Sequence, residues 1–120
     1  MQDKEFYTKT LDMFLEAYGQ DAEINICIEE MSELTKEISK FIRYENYQKR
    51  YPSKENEEKL KQIKKNIIEE CADVSICIEQ IKRIFGESEV KEIMDMKIQR
   101  GFEKVKKDLE SKNQNNGGSK

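Results

Sequence analysis

The chain contains no histidine, one proline, five glycines and three cysteines in 120 residues. Without histidine it cannot build a His/Cys zinc site, nor the E-x-x-H pair that holds a di-iron centre between helices. Cys27, Cys71 and Cys77 are odd in number, lack close C-x-x-C spacing and sit among Ile and Met at helical intervals. They read as reduced thiols packed in the core of a cytoplasmic protein, not as a disulfide framework. No apolar run approaches the roughly 20 residues of a membrane span. The first residues are charged and carry no apolar run, so no signal peptide and no membrane partner are expected. Basic residues are not in excess. Twenty-two Lys and Arg stand against 25 Asp and Glu, a net charge of −3, which gives no basic surface for nucleic acid.

What remains is rich in charge, 39%, and modest in apolar residues, 36%. That length suits one compact domain. So thin a core suits a small helical bundle, or one completed by another copy of the chain. A homo-oligomer, dimer or tetramer, is expected, with Ile68, Ile76 and Ile84 as spare apolar positions. Sparse turn residues and abundant Lys, Glu, Ile and Met favour long helices. The fold class is all-α, with four helices in a bundle-like arrangement.

The periodicity predicts helices over about 3–18, 20–44, 54–85 and 88–109, broken by Gly19, by Tyr51-Pro52-Ser53 and by Gly86. Pro52 disfavours helix at Tyr51. In the fourth helix, Val90, Ile93, Met94, Val105 and Leu109 are expected to face inward. Residues 1–110 form the domain. The tail SKNQNNGGSK, 111–120, has no apolar residue and is expected to be disordered.

One pattern occurs twice. Ile28-Glu29-Glu30-Met31-Ser32-Glu33-Leu34 aligns with Ile68-Glu69-Glu70-Cys71-Ala72-Asp73-Val74, acid for acid and apolar for apolar. At about 100° per residue, Cys27, Met31, Leu34, Ile38 and Phe41 form a stripe, with Glu23, Glu30, Glu37 and Glu33 along one edge. That is the second helix; the third repeats the pattern with Ile67, Cys71, Val74, Ile78 and Ile81 beside Glu70 and Asp73. Either acid pair alone reads as a solvated face, with Lys36, Lys40, Lys64 and Lys65 as partners within a turn. Their matched register is more specific. If the helices pack antiparallel, both pairs border one groove. Four converging carboxylates need a positive partner. A hard divalent cation, Mg²⁺ with Mn²⁺ as a substitute, fits best, because it takes oxygen ligands and bridges carboxylates to phosphates.

These residues resemble the MazG-like, all-α nucleoside triphosphate pyrophosphohydrolases, whose signature is an E-x-x-E pair on one helix and an E-x-x-D pair on the next. Here they read Glu30-Met31-Ser32-Glu33 and Glu70-Cys71-Ala72-Asp73. The flanks YGQDAEINICIEEMSELTKEISKF and IIEECADVSICIEQIKRIFG look similar too, and the resemblance covers about Tyr18 to Val105. It is nearest to short, single-domain members of the kind common in bacteriophages and their hosts. It implies hydrolysis of a (deoxy)nucleoside triphosphate to the monophosphate and pyrophosphate, with Glu30, Glu33, Glu70 and Asp73 holding Mg²⁺. It also implies phosphate contacts from a K-x-x-R pair, here Lys97 and Arg100. Water would attack the α-phosphorus, with Glu33 as the candidate catalytic base.

The chain departs from the family pattern in two places. Residues 44–59 are an apparent insertion, which either lengthens the helical hairpin or forms a lid. Glu23 is acidic where members often carry glutamine. Asn25 and Asn66 read as ordinary polar helix positions. A rival reading is non-catalytic, a helical nucleotide-binding or protein-interaction module packing through heptad-like stripes.

Overall fold

The structure is a computed structural model that describes residues 3–118, with side chains described as far as residue 114. It is all-helical: α1 Lys4–Tyr18, α2 Gln20–Arg50, α3 Lys54–Phe85 and α4 Glu87–Gly118. The chain divides into two compact units, Met1–Ile84 and Phe85–Lys120.

The first unit begins with a capped helix. Asp3 Oδ1 accepts the Phe6 N–H at 2.8 Å, satisfying one of the free donors of the first turn of α1. Gly19 separates α1 from α2 at φ +86°, ψ 162°, a conformation reserved for glycine. A Cβ there would meet nothing within 4 Å, so the cost of adding one is purely conformational. Gly19→Ala is expected to lower stability by about 1–3 kcal/mol. A urea midpoint unchanged from the parent would contradict the backbone geometry.

α2 and α3 form a long antiparallel hairpin. Its turn is held by side chains: Ser53 Oγ accepts the Asn56 N–H at 3.0 Å, the Ser53 N–H donates to Gln48 Oε1 at 3.1 Å, and Asn56 Nδ2 donates to the Tyr51 carbonyl at 3.0 Å. Ser53 thus caps α3 without the partner a capping box requires. α2 runs to Arg50, beyond the Tyr44 expected from periodicity. The segment 44–59 therefore lengthens the hairpin. Tyr44 is its packing centre, edge-to-face with Tyr47 at 5.4 Å and with Lys59 Nζ 5.3 Å from its ring.

The buried seam differs from the expected stripe. Along α2 the buried and half-buried positions include Glu23, Cys27, Glu30, Leu34, Glu37, Phe41, Tyr44 and Gln48, in alternating steps of four and three, with Ile24 and Lys40 half-buried beside them. Met31 and Ile38, placed on the packing stripe by the sequence, are exposed. The helix is thus turned by about 50° from its apolar centre, so that the acids lie in the interface and not at its edge. On α3 the seam runs through Ile63, Glu70 and Cys77, so that Cys71, expected in the core, is exposed one residue round from Glu70. The result is an apolar face left open, with Ile28, Met31, Ile38 and Ile42 of α2 and Ile68 and Ile78 of α3 all exposed.

The second unit is carried by α4. It continues through the polar tail to Gly118, past the expected end at Leu109; residues 119–120 lie outside the described residues. Ile93, Met94, Val105 and Leu109, expected to face inward, are exposed, and Val90 is half-buried. A single helix has no second element within its own unit against which to bury them. No helix among the described residues is long and apolar enough to cross a membrane.

Candidate metal-binding carboxylate site

The hairpin brings polar residues together in layers. Glu23 meets Gln80, with Gln80 Nε2 donating to Glu23 Oε1 at 2.7 Å. Two turns along, Glu30 faces Glu70 and Asp73. Two turns further, Glu37 accepts from Asn66 Nδ2 at 3.4 Å. Between the first two layers, Cys27 Sγ donates to the Cys77 carbonyl at 3.4 Å. Each layer solves the problem of a carboxylate in a helix interface differently. Glu37, 7% exposed, is paired with Lys40 Nζ at 3.2 Å. Glu23, also 7% exposed, has the Gln80 amide. Glu30 has two more acids.

Oxygens of Glu30, Glu70 and Asp73 all lie within 4.8 Å of one another. Among the described residues, no Lys or Arg pairs with any of the three. Glu70 Oε2 is sealed from solvent and has no hydrogen-bond partner. A buried carboxylate oxygen without a donor is costly, and two like charges beside it raise the cost. The Glu30 carboxyl responds: its pKa is pushed above the usual value, first by burial and then by the charges of Asp73 and Glu70. Three carboxylates, oxygen-only, from two helices, one of them with an orphaned oxygen, suit a hard divalent cation. One bound there would satisfy Glu70 Oε2 and neutralise the repulsion together.

The four acids of the repeated motif do not all meet. Glu33 is exposed and lies outside the group of three, one turn along α2 from Glu30. Lys97 and Arg100 are exposed on α4, in the second unit. Asn25 is exposed, as read from the sequence. Asn66 is half-buried, donating to Glu37 and accepting from Gln62 Nε2 at 3.0 Å. The positions that sequence reasoning missed are Glu37 and Gln80, both buried. The available signal was their spacing: Glu23, Glu30 and Glu37 recur every seventh residue on α2, and Asn66, Asp73 and Gln80 do so on α3.

Beside the acids lie two inert thiols. Cys77 is pushed up to about 12, chiefly by burial, then by Cys27 and by the charges of Glu30 and Asp73. Cys27 is 2% exposed. Iodoacetamide at neutral pH is expected to leave both unlabelled in the native protein and to modify them on unfolding. A native-state adduct on either, seen by peptide mass spectrometry, would contradict the seam.

Fold and site together define an all-α protein whose helical hairpin carries a carboxylate cluster in which Glu30 and Glu70 are half-buried and Asp73 is exposed. No protein-family model matches the chain, and neither does any curated protein or solved structure.

Proposed function

We propose that the chain is a Mg²⁺-dependent nucleoside triphosphate pyrophosphohydrolase of MazG type, cleaving a (deoxy)nucleoside triphosphate to the monophosphate and pyrophosphate. The observation that carries this reading is the convergence of Glu30, Glu70 and Asp73 with the sealed, unpartnered Glu70 Oε2. The resemblance of the paired E-x-x-E and E-x-x-D motifs supports it independently. Glu30, Glu70 and Asp73 hold the metal, with Mn²⁺ as a substitute. When bound, the metal offsets charge on the triphosphate and makes its α-phosphorus more open to attack.

The remaining roles belong to the chain. Glu33, exposed one turn from Glu30, is free to accept a proton from an attacking water at the rim of the cluster. As a metal ligand it would have to turn inward on substrate binding. Lys97 and Arg100, on α4 in the second unit, are the phosphate contacts that the resemblance alone implies. The open apolar face of Ile28, Met31, Ile38 and Ile42 supports a homo-oligomer, because so large an exposed patch favours association. A cytoplasmic setting accords with the free thiols.

The test is a panel of NTPs and dNTPs incubated with Mg²⁺ or with EDTA, the products being resolved. Metal-dependent release of monophosphate and pyrophosphate is expected. Release of single phosphate would place attack at the wrong phosphorus. No turnover by folded, Mg²⁺-supplied protein would favour a non-catalytic helical binding or interaction module.

A further inference from the structure

A cavity of about 200 Å³ opens between α1, α2 and α3, one turn of helix from the carboxylate cluster. Leu11, Phe14 and Tyr18 of α1, Ile26 of α2 and Ile76 of α3 form apolar walls. Phe14 and Tyr18 are stacked, with ring centroids 6.3 Å apart and planes 30° from parallel. Two polar side chains also line it, Glu23 and Gln80, which are 7% and 2% exposed. Their orientation follows from their partners. Gln80 Nε2 donates to Glu23 Oε1 and to the Leu11 carbonyl at 3.0 Å, both of which can only accept. The amide oxygen therefore points elsewhere, and Gln80 Oε1 is buried with no partner. Glu23 accepts through one oxygen alone among the described residues and pairs with no cation.

The pocket, open to solvent past Tyr18 and Ile76, thus joins an apolar space to a surplus of acceptors. A carboxylate nine-tenths buried, opposite only a neutral amide, has one oxygen that no protein donor among the described residues meets. The group that completes it must be planar, apolar on its faces and able to present adjacent N–H donors at its edge. Among nucleobases this is the pairing edge of guanine, whose N1–H and 2-amino group together match the two oxygens of one carboxylate. Adenine and cytosine offer an amino group beside a ring-nitrogen acceptor, and uracil and thymine one N–H between two carbonyls. Each of these sets an acceptor against Glu23. The placement suits a nucleotide too: Glu23 lies two turns, about 10 Å, along α2 from Glu30, enough for a nucleoside between base edge and phosphates.

Resting on the proposed pyrophosphohydrolase reading, we propose that this cavity is the base pocket and that Glu23, held by Gln80, selects guanine. Phe14 and Tyr18 supply a surface for stacking, and Gln80 is a positioning residue that fixes the carboxylate and ties α1 to the hairpin.

The test separates binding from turnover. Affinities for α,β-imido analogues of dGTP, dITP and dATP would be measured by calorimetry with Mg²⁺ on the wild type and on Glu23→Gln, whose fold is checked by circular dichroism. Hydrolysis of the natural triphosphates would be followed in parallel. The expected order is dGTP, then dITP, then dATP, because dITP keeps one donor with no acceptor beside it toward the carboxylate, whereas dATP sets its ring-nitrogen acceptor next to its amino donor and so against Glu23. Glu23→Gln should shrink the dGTP-over-dATP ratio by about 10- to 100-fold, the usual weight of a charge-assisted hydrogen bond. The wild-type order alone decides the matter if the variant does not fold. Equal affinities, or an order favouring dATP, would overturn the guanine pocket. Hydrolysis without guanine preference would leave the enzyme reading standing and the pocket refuted. Guanine-selective binding without hydrolysis would do the reverse, and neither would refute both.

Discussion

Replacing Glu70 with glutamine is expected to lower pyrophosphate release by about 10²–10³-fold while the helices remain folded, the scale seen when one charge-stabilising group leaves a reacting centre. The substitution is nearly isosteric and removes one of the three charges that share the cluster. Its amide can donate to Glu30 or Asp73, which have no basic partner among the described residues. The metal-free variant should therefore gain stability, on the order of 1 kcal/mol, from one repulsion removed and one hydrogen bond formed. Activity and stability should move in opposite directions. A purely structural seam residue gives the other pattern, because loss of its packing lowers both. Urea unfolding of both proteins in EDTA, beside turnover in Mg²⁺, reads the two quantities. A Glu70→Gln protein as active as the parent would remove the cluster from the chemistry.

The helices were legible because their punctuation is local. Gly19, Pro52 and Gly86 fall at the breaks, and Asp3 and Ser53 supply caps with side chains that need nothing distant. The rotation of α2 was not legible. Hydrophobicity alone centres its packing face between Cys27 and Ile38, but the hairpin buries Glu23 and Glu37 and exposes Met31 and Ile38. Burying a carboxylate requires a specific partner, and those partners come from α3, about 30 to 60 residues away: Asn66 for Glu37 and Gln80 for Glu23. Only the sevenfold recurrence of polar residues on both helices hints at such layers, as it does in coiled coils whose buried polar positions fix register. In the candidate site, Glu30, Glu70 and Asp73 follow from the repeated motif. Glu33 belongs to the motif but sits one turn round, on an exposed face. The end of α4 was obscured for another reason. Its last turns contain no apolar residue, so their helicity carries no amphipathic signature.

The same cluster makes stability depend jointly on pH and metal. In metal-free protein the Glu30 pKa is raised above its usual 4.5, so the folded chain holds a proton to higher pH than the unfolded chain does. Below 4.5 both forms are protonated at this group and its contribution to folding is fully present. As pH rises through the raised folded value, the folded form must ionise beside Asp73 and Glu70, and that contribution is lost. As pH rises above 4.5, Glu30 should thus make stability fall in EDTA. Bound Mg²⁺ should invert the trend, because it prefers the ionised carboxylates and binding releases the Glu30 proton. At a hundredfold excess over Kd, the metal adds about 2.7 kcal/mol, roughly a 10 °C rise in Tm for a chain of this size. Thermal unfolding across pH 4 to 8, with Mg²⁺ and with EDTA, gives both slopes. Glu30→Gln, which cannot ionise, should flatten the EDTA slope and abolish most of the metal-induced rise. Parallel curves with and without metal would mean that the three carboxylates do not share an ion, and that their burial is met by the protein alone.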